Sequence, residues 1–294
     1  MYTQLLPIII PILVCVLVGY AWARTPYPFE REFLARIVMN IGAPCLVLDG
    51  MSSFSANPTK FYLSFWIAVG LIGFCTLLGT IALRLSGHPF RSYLPPIMFG
   101  NMGNLGVPLC AFAFGEEGLG LAIGFYIAAS SIQFVIGPMI QGRQAAWRTL
   151  FTTPIIYAAL LGLLLLQTQT SMPAALANSV ELIGGITLPL MLIALGYSLA
   201  TFKVSGLGVA LSLTMMRYAL GFSSGVLVVW WMELEGVLRG VVLIEATMPV
   251  AVFNFLFAAR YDRDADDIAG AIVISTIISL VTLPWLLLFA LGGA

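Results

Sequence analysis

Two stretches of this chain hold the residues that could do chemistry. The first reads P-P-I-M-F-G-N-M-G-N-L-G-V-P-L and places Pro95, Pro96, Gly100, Asn101, Gly103, Asn104, Gly106 and Pro108 within fourteen residues. The second reads I-E-A-T-M-P-V-A-V-F-N-F, with Pro249 at its middle, Glu245 four residues before it and Asn254 five after it. Proline removes a backbone donor and clashes with the preceding helical turn. Glycine adds backbone freedom. Neither stretch is expected to form a continuous helix. A helix broken in mid-run exposes unpaired N–H and C=O groups, and the N-terminus of a half-helix carries partial positive charge that can hold an anion. An asparagine amide can add a donor to a carboxylate and costs less to bury than a cation. The candidate substrate-binding residues are therefore Asn101, Asn104, Gly106, Pro108, Pro249 and Asn254.

The ionisable residues inside apolar runs are few. Glu245 is the candidate for ion coupling, either as a proton carrier or as a Na⁺ ligand, because a carboxylate beside exposed carbonyls can complete a cation site. Its alternative is a structural ion pair with Arg217. Asp49, the second candidate for ion coupling, follows Pro44 by five residues and either lines an outer mouth or reaches the interface. Arg217 lies about eleven residues into an apolar run, too deep for easy snorkelling. It is the candidate charge partner, either of an anionic substrate or of Glu245 or Asp49. Asp262, Asp264, Asp266 and Asp267 read as a solvated loop and helix cap, His88 as a surface residue, and Gln133 as an interhelical hydrogen bond. The four cysteines all lie in apolar runs and read as small core residues. There is no H-E-x-x-H, G-x-S-x-G or G-x-x-x-x-G-K-[ST] sequence, and a single histidine gives a metal site or catalytic triad little to draw on. No enzyme activity, metal centre or resident cofactor is expected, Na⁺ near Glu245 aside.

The elements that must position these residues are set by composition. Of 294 residues, 60% are apolar and 9% charged, where a soluble domain has about 25% charged. The mean hydropathy is +1.02. The chain reads as an all-α integral membrane protein. Net charge is zero, so nothing marks nucleic acid as a partner; the lipid bilayer is the partner. Ten apolar runs fit transmembrane helices, at approximately 4–23, 32–53, 61–83, 93–115, 119–140, 150–168, 176–199, 206–231, 236–260 and 265–291. They are continuous rather than alternating, which selects helices over barrel strands. The first run lacks a basic leader and is too long for a signal peptide.

Shifting the first five runs by about 145 residues lays them over the second five. Pro44 falls on Pro189, and A-S-S-I-Q-F-V-I-G-P (129–138) falls on S-T-I-I-S-L-V-T-L-P (275–284). Five is odd, so the second half must be inverted in the membrane, a common build of secondary transporters. The expected organisation is one five-helix repeat at 1–140, a cytoplasmic linker at 141–149, and an inverted repeat at 150–294. Loops after the odd-numbered runs carry ten basic residues and those after the even-numbered runs two, Lys60 and Arg239. Both termini are therefore expected outside the cytoplasm.

Four segments carry a family resemblance: G-N-M-G-N-L-G-V-P-L (100–109), L-P-L-M-L-I-A-L-G-Y-S-L (188–199), M-P-V-A-V-F-N-F-L-F-A-A-R-Y (248–261) and I-S-T-I-I-S-L-V-T-L-P (274–284). With them the sequence resembles the auxin efflux carrier family, whose bacterial branch includes organic-anion and malonate carriers. It is more distantly similar to the sodium–bile acid symporters and sodium–proton antiporters. The resemblance implies ten transmembrane helices in two inverted repeats, with broken fourth and ninth helices crossing at the substrate site. It implies that an asparagine near the fourth-helix break, here Asn101 or Asn104, contacts the substrate carboxylate. The more distant similarity to the sodium–bile acid symporters implies a glutamate on the ninth helix near its break, which Glu245 matches. A homodimer in the cell inner membrane is expected on the same ground. Plant members carry a long loop between the halves; here the gap is about ten residues, which sets regulation through that loop aside and tells against auxin itself as the substrate.

These readings converge on a secondary transporter of small organic anions, carboxylates, working by alternating access and coupled to H⁺ or Na⁺. The alternative is a membrane-embedded sensor that binds a small acid without moving it. The lack of a cytoplasmic output domain disfavours that alternative.

Overall fold

A computed structural model describes residues 2–54, 58–141, 153–204 and 206–292, and every regular element among them is helical. α1 (Tyr2–Trp22) is followed by α2 (Arg31–Ile37), which passes through a π turn at Val38–Gly42 into α3 (Ala43–Ser52). α4 (Pro58–Ser86) leads to the short α5 (Phe90–Met98). A second π turn at Met102–Gly106 opens α6 (Val107–Ile140). Each π turn lies just before a proline, Pro44 and Pro108. A proline offers no N–H to the carbonyl four residues back and its ring presses on it, so the helix widens there.

The second half contains α7 (Pro154–Thr168), α8 (Ala174–Thr201), α9 (Leu207–Trp231), α10 (Gly236–Ala246), α11 (Phe253–Tyr261) and α12 (Ala265–Leu291). The linker expected at 141–149 lies, apart from Gln141, outside the described residues.

Seven described stretches are long and apolar enough to cross a membrane. Ten runs were expected, and the difference has local causes. The ninth run is split into α10 and α11, neither long enough alone. The sixth is 15 residues long in α7. The second half of the fourth run is contiguous with the fifth, giving one stretch of 39 residues, Met102–Ile140. At 1.5 Å per residue that is about 58 Å, roughly twice a bilayer core. It does not run straight. Gly115 has φ 62° and ψ −146°, backbone that a side chain would strain. A Cβ on Gly118 would strike the carbonyl of Cys110. The chain folds back on itself at Gly115.

The helices pack as two groups. α1, α2–α3, α7 and α8 form one, and α4, α5, α6, α9, α10, α11 and α12 form the other. In the first group α1 and α8 touch backbone to backbone. A Cβ on Gly19 would strike the carbonyl of Ile193, and one on Gly196 would strike that of Val16. Small residues allow such approach where lipid supplies no hydrophobic drive between helices. Large apolar side chains stay exposed on the outer faces, Leu17 on α1, Leu160 on α7 and Leu182 on α8 among them. This is the surface expected of helices facing hydrocarbon chains.

Candidate substrate site at the helix crossing

The two interrupted helices meet at their breaks. Gly100, just after α5, and Val250, between α10 and α11, form a single antiparallel bridge. The Asn101 N–H donates to the carbonyl of Pro249 at 2.6 Å, and the Ala251 N–H donates to that of Phe99 at 3.1 Å. The Val250 N–H turns instead to Ser275 Oγ on α12, at 3.1 Å. Backbone groups that the prolines and glycines set free thus pair with each other, which a break far from water requires.

The crossing sorts the half-helix ends by charge. The C-terminal ends of α5 and α10 converge on Arg217 of α9, which is 1% exposed. Its Nη1 donates to the Ile97 carbonyl at 3.2 Å, its Nη2 to the Ala246 carbonyl at 3.0 Å, and its Nε to the Met248 carbonyl at 3.0 Å. A guanidinium here satisfies carbonyls that have no helical partner and opposes the negative end of two helix dipoles. Gly100 makes room for it, since a Cβ there would strike Nη2. Arg217 forms no ion pair with Glu245 or Asp49 among the described residues. The pairing open to it on sequence grounds is thereby replaced by carbonyl capping, because the carbonyls of both breaks lie within its reach.

The N-terminal ends of the second halves point elsewhere. The π turn at Met102 and α11 at Phe253 both start without a side-chain cap. Both border a cavity of about 20 Å³, which is the scale of a single water. Asn101, Asn104, Tyr126, Ser130 and Gln133 supply its polar lining. Asn101 is 3% exposed, and its Nδ2 has no hydrogen-bond partner. A second cavity of about 370 Å³ shares Asn104 with the first. It runs between the two helix groups, along Val38, Met191 and Phe253, to Arg31 at the start of α2. Asn104 therefore stands between a closed pocket at the crossing and a wider vestibule.

The other candidates take different places. Asn254 is engaged in the crossing itself: its Nδ2 donates to the Phe99 carbonyl at 3.2 Å, and its Oδ1 accepts from Gln133 Nε2 at 3.0 Å. Pro249 contributes its carbonyl to Asn101. Pro108 comes just after the π turn, and the widened backbone there accommodates its missing N–H. Gly106 faces Glu245; a Cβ there would strike Oε2. Glu245 is fully buried. Its Oε1 accepts from Cys110 Sγ at 3.8 Å, while Oε2 has no partner. No group of three or more His, Cys, Asp or Glu placed to hold a metal ion occurs among the described residues, so a cation at Glu245 would draw on backbone carbonyls for its remaining ligands. Asp49 lines neither cavity.

Sequence reasoning missed one wall of the pocket. Tyr126, Ser130 and Gln133 lie on α6 at spacings of four and three, one face of a helix. A polar stripe at that spacing inside an apolar run was the available signal. Gln133, read as an interhelical hydrogen bond, makes that bond to Asn254 and lines the pocket as well.

A family profile described as a membrane transport protein matches residues 139–287. The chain is 29% identical over 307 residues to an uncharacterized transporter of Methanothermobacter thermautotrophicus, covering 94% of this chain and 95% of the relative. It is 24% identical over 306 residues to an uncharacterized transporter of Methanocaldococcus jannaschii, covering 96% and 98%. Auxin efflux carrier component 1 of Arabidopsis thaliana is 28% identical over 153 residues, covering 49% of this chain and 25% of the plant protein.

Proposed function

Because the chain belongs to the membrane transport protein family, that of the auxin efflux carriers, we propose that it is a secondary active transporter of small organic anions, carboxylates, working by alternating access. The observation that carries this reading is the charge sorting at the crossing. Two uncapped half-helix N-termini and the unpartnered Asn101 amide face one closed pocket, while Arg217 occupies the opposite, negative ends. Such a pocket favours an anion without presenting a full positive charge to it.

Ten transmembrane segments in two inverted five-helix repeats accommodate the broken fourth and ninth runs as a matched pair. The ten-to-two bias of basic loop residues puts both termini outside and the Arg31 end of the vestibule inside the cytoplasm. The membrane is the cell inner membrane, and the assembly is a homodimer. The narrow pocket and the wider vestibule on its Arg31 side suit a resting, inward-facing state. Movement of one helix group against the other would expose the pocket to the opposite side. Glu245, buried beside the fourth-run break with Oε2 unpartnered, is the coupling group for H⁺ or Na⁺.

Purified protein in liposomes tests this with a panel of mono- and dicarboxylates, from acetate and malonate to benzoate, under imposed pH and Na⁺ gradients. Accumulation of at least one carboxylate is expected. Asn101→Ala should weaken its apparent affinity by about tenfold or more, the value of one hydrogen bond to a charged group. In Glu245→Gln, gradient-driven accumulation should vanish while exchange persists. No uptake across the panel, or normal affinity in Asn101→Ala, would overturn the reading.

A further inference from the structure

Arg31 stands at the outer end of the vestibule as the first residue of α2. Its guanidinium carbon lies 4.8 Å from the ring centroid of Tyr197 and 5.4 Å from that of Phe202. Its Nη2 donates to Thr201 Oγ1. The rings are themselves held: Phe29 stacks on Tyr197 at 4.0 Å, and Phe202 packs on Phe255 at 4.4 Å. Arg31 is exposed, yet it is held on three sides by one end of α8 and the segment after it.

The charge of Arg31 is not spent on a carboxylate. Among the described residues it forms no ion pair. Glu32, the single carboxylate lining the vestibule, pairs instead with Arg36 one helical turn on, at 2.5 Å. Arg31 is thus the one cation among the residues lining the vestibule, and the one carboxylate among them is paired elsewhere. Nε and Nη1 make no hydrogen bond among the described residues, which leaves two donors for an incoming carboxylate. Behind Arg31 the walls are largely apolar, with Leu34, Val38, Met39, Met191, Phe253 and Leu256. Low-dielectric walls behind one fixed charge focus its field along the vestibule. The path ends at Asn104, which also borders the pocket of the crossing.

We propose that Arg31 is an entrance ligand for the anion: it receives a carboxylate at the mouth of the vestibule, ahead of the binding pocket at the crossing. This rests on the proposed anion transport for the identity of the traveller, while the fixed cation and its apolar channel stand on geometry alone. The division of labour has a chemical reason. A guanidinium in the pocket itself would hold an anion too firmly to release it, whereas one at the mouth raises the local anion concentration and leaves the deeper site to weaker dipoles.

The test uses charged thiol reagents, so that no substrate need be known. Ala194→Cys places a reporter on the vestibule wall. Its rate of modification is measured with anionic 2-sulfonatoethyl methanethiosulfonate and with cationic 2-(trimethylammonium)ethyl methanethiosulfonate. Rates of the protein carrying only its native cysteines are subtracted. Adding Arg31→Gln should lower the anionic-to-cationic rate ratio by on the order of a hundredfold, because one unit charge about 10 Å away at an effective permittivity near 20 changes each reagent's rate by roughly tenfold, in opposite directions. Arg31→Lys should keep most of the ratio, and high salt should erase the difference. Met39→Cys serves as a second reporter on the opposite wall. An unchanged ratio at both reporters, or an equal fall with both reagents, would overturn the proposal. Failure of the transport reading looks different: wild-type liposomes would take up no carboxylate while the charge ratio still depended on Arg31.

Discussion

Replacing Arg217 with methionine removes the donors of three buried hydrogen bonds at 3.0, 3.2 and 3.0 Å. The carbonyls of Ile97, Ala246 and Met248 would then face an apolar side chain. Each buried acceptor left without a partner costs about 1–3 kcal/mol. The loss is partly offset, because burying a guanidinium is itself expensive and the variant no longer does so. The net destabilisation should fall near 3–5 kcal/mol, the range for removing one member of a buried charged network. At about 2–4 °C per kcal/mol, the melting temperature should drop by about 10 °C. The tryptophan fluorescence of the purified protein in detergent can follow the transition.

A double variant separates two explanations of that loss. If Arg217 served mainly to neutralise Glu245, then Glu245→Gln in the Arg217→Met background would restore most of the stability, since an unpaired partner charge would be the source of the damage. The geometry predicts no such rescue. The groups left wanting are carbonyls of α5, α10 and the break after it, and neutralising Glu245 supplies them with no donor. The double variant should stay well below the wild type in stability, recovering only the part of the loss that comes from the charge of Glu245. Arg217→Lys should fall between, since one ammonium cannot reproduce the planar fork. A double variant that melts like the wild type would refute carbonyl capping as the role of Arg217.

Two further outcomes follow from the geometry. Gly106→Ala places a methyl group against the Glu245 carboxylate and should cost about 1–3 kcal/mol by overpacking; shortening the partner in Gly106→Ala/Glu245→Ala should recover most of that in a melting assay, and an uncorrected loss would mean that the strain lies elsewhere. A cysteine at Lys60 should react with an impermeant thiol reagent applied outside the cell, and one at Lys203 only after permeabilisation, whereas the reverse pattern would invert the proposed orientation.

Much of the architecture could be read from residue types, because transfer into lipid depends on composition and helix breaking depends on local chemistry. The breaks at 95–108 and around Pro249 needed no tertiary knowledge: proline and glycine act on their own turn. What could not be read was the choice of partners. Asn101 and Asn104 are equivalent in type and three residues apart. Asn101 differs from Asn104 in the bond of its N–H to the Pro249 carbonyl, which draws its backbone into the crossing while its amide lines the narrow pocket. Asn254 looked like a third ligand, and its amide is taken by a carbonyl 155 residues away, that of Phe99. Arg217 looked like the partner of a carboxylate, because charge is what a sequence displays. A carbonyl at a helix end bears no mark in the one-letter code.

The same reasoning explains why a buried arginine suits a site proposed for an anion. Each broken helix presents two new ends of opposite polarity, worth about half a charge each. Left alone, the four ends at a crossing would cancel at close range, and a ligand would feel little net field. Arg217 removes the two negative ends from the sum by bonding to their carbonyls, while the Glu245 carboxylate lies against Gly106 at the end of the π turn that opens α6. With Glu245 protonated, the two positive ends leave a positive potential in the pocket built from dipoles, although the full positive charge of Arg217 lies on its other side. Such a field attracts an anion, yet it lacks the bidentate grip of a guanidinium in direct contact. A transporter must also release what it binds. Charge placed behind the breaks rather than in the pocket meets both demands, and Arg31 at the mouth then supplies the direct contact that the pocket withholds.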